Sequence, residues 1–153
     1  MISKRKRKCV FYVKLNKTYF VTQGDEGIRI TEIDIKTGKV LSPERLVWGG
    51  IGGRFPEAPH VYKKDGYYYL LLGEGGTEYA HSATIGRSKY LFGPYESCPL
   101  NPILTHCNRI GQGNPIQGVG HADFIQPTES QARLKSFTTG SNIGNYRFPG
   151  KHI

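Results

Sequence analysis

The segment RFPEAPHVYKKDGYYYLLLGEGG, residues 54 to 76, sets one carboxylate, Glu57, among Phe55, Pro56, Ala58 and Pro59, just ahead of a tyrosine-rich run. Desolvating a carboxylate is costly, so such a glutamate is kept wet, is paired, or keeps its proton through a raised pKa and serves proton transfer. Residue types alone leave these three open. His60, His81 and His121 are isolated in sequence, and a lone histidine is more often structural than catalytic. Cys9, Cys98 and Cys107 are an odd number without a CxxC spacing, which indicates neither a disulfide framework nor a thiolate zinc site. Cys98 and Cys107 could pair, but nothing requires it.

The elements that must position these groups read as strands. Runs rich in β-branched and aromatic residues recur at 9–13, 18–22, 28–35, 45–48, 60–62, 67–73 and 80–86. Turn chemistry separates them: LNK at 15–17, KTGK at 36–39 and KKDG at 63–66, where Asp65-Gly66 is a strong hairpin signal. Twenty Gly, nine Pro and ten Tyr in 153 residues suit short strands and tight turns. The chain is expected to be all-β, built of antiparallel hairpins around one core. An echo at an offset of 50 pairs Tyr12 with Tyr62, Lys14 with Lys64, Tyr19 with Tyr69 and Ile35 with Ile85, and sets Asn16 opposite Gly66. A period of 40–50 residues carrying several antiparallel strands is the mark of propeller blades, none of which can bury its faces alone.

Of the net charge of +9, five come from Lys4, Arg5, Lys6, Arg7 and Lys8 and three from the residues after Gln126, leaving one for 9–126. The basic run is a candidate nucleic-acid or nuclear-localisation patch, but such runs are more often solvated tails, so no nucleic-acid partner is expected. The basic leader is followed by too few apolar residues for a signal peptide, and no run of 18 apolar residues occurs, so no membrane partner is expected. Residues 127–153 hold only isolated apolar residues without a period and are expected to be poorly ordered.

Residues from about 10 to 126 resemble the middle of a glycoside hydrolase family 43 domain, the family of β-xylosidases and α-L-arabinofuranosidases. The likeness is carried by TEIDIKTGKVLSPERLVWGG, by RFPEAPHVYKKDGYYYLLLGEGGTEYAHSATIGRSKYLFGPYES, by NPILT and by NPIQGVGHADFIQ, in the family's order and spacing. The resemblance implies a partial five-bladed β-propeller of about two to three blades. It divides the chain into a basic leader (1–9), a partial propeller domain (10–126) and a tail outside the family (127–153). It implies that Glu57 is the general acid, and its apolar neighbours fit a carboxyl that holds its proton for a departing glycosidic oxygen. It implies that Thr77 faces the sugar pocket and that His121 lies near the propeller axis, positioning the sugar or a central ion or water. His60 and His81 are expected to pack beside the pocket, and Asp123 to be a local hydrogen-bonding partner. No cofactor is required.

The family inverts with a carboxylate base roughly 6.5–9.5 Å from the acid. That base comes from a first blade which, by the resemblance, precedes this chain. A second aspartate, in a D-P-S motif, would fall where the sequence reads Arg7-Lys8-Cys9. The expectation is therefore a truncated fragment of an inverting glycosidase for xylan or arabinan oligosaccharides, with little or no turnover of its own. The alternative is a non-catalytic sugar-binding remnant. For it, Phe55, Trp48, Tyr67, Tyr68 and Tyr69 offer stacking faces, although tyrosines along a strand are more often packing residues.

Overall fold

The computed structural model describes residues 9–109, 113, 116–125, 133–138 and 145–146. The basic run at 4–8, which includes two of the three positions matched to the D-P-S motif, lies outside them. Three antiparallel sheets follow one another along the chain. The first comprises β1 (Cys9–Lys14), β2 (Lys17–Gly24), β3 (Gly27–Ile33) and β4 (Arg45–Trp48), in that spatial order. In the second, β5 (Glu57–Lys64), β6 (Tyr67–Glu74), β7 (Ser82–Ser88) and β8 (Glu96–Ser97) are joined by β9 (Leu104–Thr105) on β7. The third holds β10 (Val119–Ile125), β11 (Arg133–Thr138) and β12 (Asn145–Tyr146). Each sheet is a meander, and the leading strands β1, β5 and β10 adjoin in that order. This is the blade succession of a propeller, three blades deep among the described residues.

Local chemistry fixes the hairpins. Leu15-Asn16 and Asp65-Gly66 turn with φ of 48°, 62°, 49° and 81°, the left-handed pair that a two-residue hairpin needs. The offset-50 echo is a register echo, because Tyr12 opposes Tyr19 in the first blade and Tyr62 opposes Tyr69 in the second. Ile35 and Ile85 are not equivalent: Ile85 pairs with Leu71 inside β7, whereas Ile35 lies beyond the end of β3. Asn101 fills the gap between β8 and β9 on the edge of β7. Its side chain accepts from Ile85 N at 2.9 Å and donates to Ile85 O at 2.8 Å, replacing a missing stretch of strand.

The core has two seams that share β6. Leu70 and Leu72 pack with Val21, Ile28, Ile30, Val47 and Trp48 of the first blade. Leu71 turns the other way, onto Ala83, Val119 and Ala122. All three leucines are fully buried, each contributing about 1.5–3 kcal/mol. A strand covered on both faces reads as a continuous apolar run, which explains YYYLLL. Trp48 and Tyr68 belong to this core and present no face to a sugar. A methyl on Gly86 would lie 3.1 Å from the Trp48 ring, so the glycine makes room for the indole.

β11 and β12 form within 127–153, the stretch set apart above for its lack of periodicity, through backbone pairing to β10 and then to β11. The rest of that stretch lies outside the described residues. Cys98 and Cys107 are both free thiols. No helix among the described residues is long and apolar enough to cross a membrane.

Candidate active site

Glu57 opens β5 and pairs with Gly73. The ladder slips between Glu57 and His60, and residues on both sides of the glutamate are left-handed, Phe55 at φ 54° and Ala58 at φ 49°. Non-glycine residues held this way cost on the order of 1–3 kcal/mol each and persist only where their surroundings dictate them, most often at functional sites. Glu57 is half-buried, and its Oε1 is shielded from solvent.

Gly73 is where the site converges. A methyl there would stand 3.3 Å from His121 N and 3.4 Å from His81 Cε1, so β10 and an imidazole both close on the residue that pairs with Glu57. His121 sits at a bulge of β10 with φ 47°, a third strained position. The His81 ring is 1% exposed and lies on Gly120, where a methyl would come within 2.3 Å of Cδ2. The structure thus brings Glu57, His121 and His81 around one glycine.

Thr77 is exposed in the turn after β6. That turn is tied to the segment leading into Glu57. Gly75 N donates to Arg54 O at 2.7 Å, Arg54 pairs with Glu78 at 3.7 Å, and a methyl on Gly76 would meet the Phe55 ring at 3.4 Å. Phe55 is exposed, with the Arg54 guanidinium 4.9 Å from its ring centre.

Further along β5, His60 Nδ1 lies 3.9 Å from Asp123 Oδ1, and its ring stacks on Tyr62. The Tyr62 hydroxyl donates to Asp123 Oδ1 and accepts from Phe124 N at 3.1 Å, so Asp123 is a hydrogen-bonding partner across the second seam. Burial, followed by that bond, pushes the Tyr62 phenol well above its ordinary range.

Sequence reasoning missed Glu74. At 1% exposure its carboxylate accepts from Ile51 N (3.1 Å to either oxygen), from Gly53 N (2.9 Å) and from the Thr84 hydroxyl. The signal was present in the chain: an acid ending an apolar run, with glycine-rich stretches at 49–53 and 73–76 whose amides need an acceptor. Among the described residues no group of three or more His, Cys, Asp or Glu is arranged to hold a metal ion, so a central ion beside His121 finds no such ligand set.

Known proteins resemble this chain in sequence and in fold. A xylosidase/arabinosidase of Butyrivibrio fibrisolvens is 46% identical over 104 residues, covering 67% of this chain and 20% of that protein. A beta-xylosidase of Bacillus subtilis (strain 168) is 46% identical over 112 residues, 73% of this chain and 21% of that one. The chain spans about a fifth of the length of these curated relatives. Among solved structures, the Bacteroides ovatus protein described as Xyloglucan PUL GH43B superposes with a TM-score of 0.77 at 35% identity, over 86% of this chain and 26% of that one. Xylan beta-1,4-xylosidase from Bacillus halodurans C-125 gives 0.78 at 29% identity, over 92% and 27%. The neighbours are five-bladed propellers, of which this chain covers a part. The model of Glycosyl hydrolases family 43 matches residues 9–153, and the chain belongs to that family.

Proposed function

We propose that this chain carries the acid side of an inverting glycosidase site for β-xylosides or α-L-arabinofuranosides of hemicellulose. The observation that supports it best is the setting of Glu57, a half-buried carboxyl between two strained residues, paired with the glycine on which His121 and His81 close. In this reading Glu57 delivers a proton to the leaving oxygen, a contribution typically on the order of 10²–10⁴-fold. Thr77 and His121 hold sugar hydroxyls. The names of the relatives support xylan- or arabinan-type oligosaccharides as partners.

Inversion also needs a carboxylate that activates water. Glu74 and Asp123 are committed, the first to two amides and a hydroxyl, the second to Tyr62. In this reading the chain binds a xylo-oligosaccharide and, with neither of these two acids free to activate water, turns it over little or not at all.

The test is release of p-nitrophenol from the aryl β-xyloside and the aryl α-L-arabinofuranoside, alongside calorimetric titration with xylobiose. Binding without release is the expected result. Turnover that disappears in Glu57→Gln would overturn the inactivity while supporting the acid. Absence of binding at millimolar sugar would remove the reading.

A further inference from the structure

We infer that Glu74 is a positioning residue for the general acid: its buried carboxylate clamps the 49–54 loop, so that Glu57 leaves it at a fixed angle. The inference rests on the reading of Glu57 given above. The clamp grips both ends of one short segment. Ile51 N and Gly53 N donate to the carboxylate, and Gly75 N, from the residue after Glu74, donates to Arg54 O. Chain beyond residue 54 then has little freedom before it reaches β5. The strained Phe55 and Ala58 conformations stand on either side of Glu57 in this stretch. Strain of that kind relaxes unless its flanks are held, and the flank on the loop side is held by Glu74.

The loop is shaped for the carboxylate. A methyl on Gly50 would lie 2.4 Å from Glu74 Oε1, and one on Gly53 would lie 2.9 Å from Glu74 Cβ. Any larger residue at either position would lift the loop off its acceptor. Thr84 holds the carboxylate from beneath through its hydroxyl. Residues 51 and 53 lie on the exposed side of the loop, so when the acceptor is removed their amides turn to water instead and the loop is no longer held to β6.

Three variants of the 153-residue chain test this by amide hydrogen exchange and NMR. Glu74→Leu removes the acceptor. Gly53→Ala pushes the loop away without altering β6. Glu74→Gln can keep its oxygen towards Ile51 and Gly53 while its amide donates to a rotated Thr84 hydroxyl, so it is the rescue. Exchange at residues 51 and 53 should rise at least tenfold in Glu74→Leu and Gly53→Ala and change by less than threefold in Glu74→Gln. The Glu57 and Ala58 amide resonances should move in the first two variants only, with Leu70 to Leu72 protected as in the parent. Should Glu74→Leu lose protection throughout β6, Gly53→Ala decides. Parent-like exchange at residues 51 and 53, or faster exchange with unmoved Glu57 and Ala58 resonances, overturns the clamp. Failure of the parent to bind xylobiose would count against the glycosidase reading alone, because the exchange and resonance comparisons need no sugar.

Discussion

Replacing Gly120 with alanine tests how the third blade is seated on the site. The new methyl would stand 2.3 Å from His81 Cδ2, 2.5 Å from Nε2 and 2.7 Å from Cγ, all well inside the 3.4 Å at which ordinary contact begins, the first by more than an ångström. The ring has no easy retreat. It is 1% exposed, and on its far side it already lies against Gly73, where a methyl would be 3.4 Å from Cε1. Either the imidazole leaves its rotamer or β10 moves out, carrying His121 with it. Overpacking of this kind typically costs about 1–3 kcal/mol. At about 2–4 °C per kcal/mol for a chain of this size, the midpoint should fall by about 2–12 °C. Thermal unfolding followed by circular dichroism measures it, and His81→Ala separates the cause. If the clash is with the ring, the double variant is less destabilised than the sum of the single ones, by about 0.5–3 kcal/mol. An unchanged midpoint in Gly120→Ala, or strict additivity with His81→Ala, would refute the packing argument.

Leu71→Ala empties the seam between the second and third blades and should cost about 2–5 kcal/mol in urea unfolding; a loss below about 1 kcal/mol would mean that the seam is not packed as described. The Tyr62 phenol is held above its ordinary 10.0 by burial and then by Asp123, so its stabilisation is complete below that pH and is lost as pH rises towards the folded value. Unfolding at pH 9 and pH 11 should therefore show an alkaline loss that is smaller in Tyr62→Phe, and an equal loss in both proteins would assign it elsewhere, to Tyr95 first, which is raised by its own burial.

Hairpins were legible because their signals are local. Asp65-Gly66 and the runs around it fix β5 and β6 without reference to anything distant. The echo at offset 50 held for the two tyrosine pairs and failed at Ile35, since the connection between the second and third strands differs in length between blades and shifts the phase. Glu57 stood out by its neighbours, but the left-handed backbone at Phe55, Ala58 and His121 did not, because nothing in the residue types demands it. Trp48 looked available for stacking and is buried, as its partner Gly86 lies far away in sequence. Glu74 was hidden for the same reason: its ligands come from a loop more than twenty residues upstream. β8, β9, β11 and β12 join neighbours through main-chain bonds, which leave little trace in composition.

Because β6 presents Leu70 and Leu72 to one side and Leu71 to the other, the middle sheet serves as a party wall. Chimeras spliced within it would leave both tenants without a partner surface, whereas junctions placed in the turn after Trp48 or the approach to Val119 would exchange whole blades. Recombination among such chains, in the laboratory or in a genome, should therefore tolerate breakpoints between sheets and reject those inside the central one.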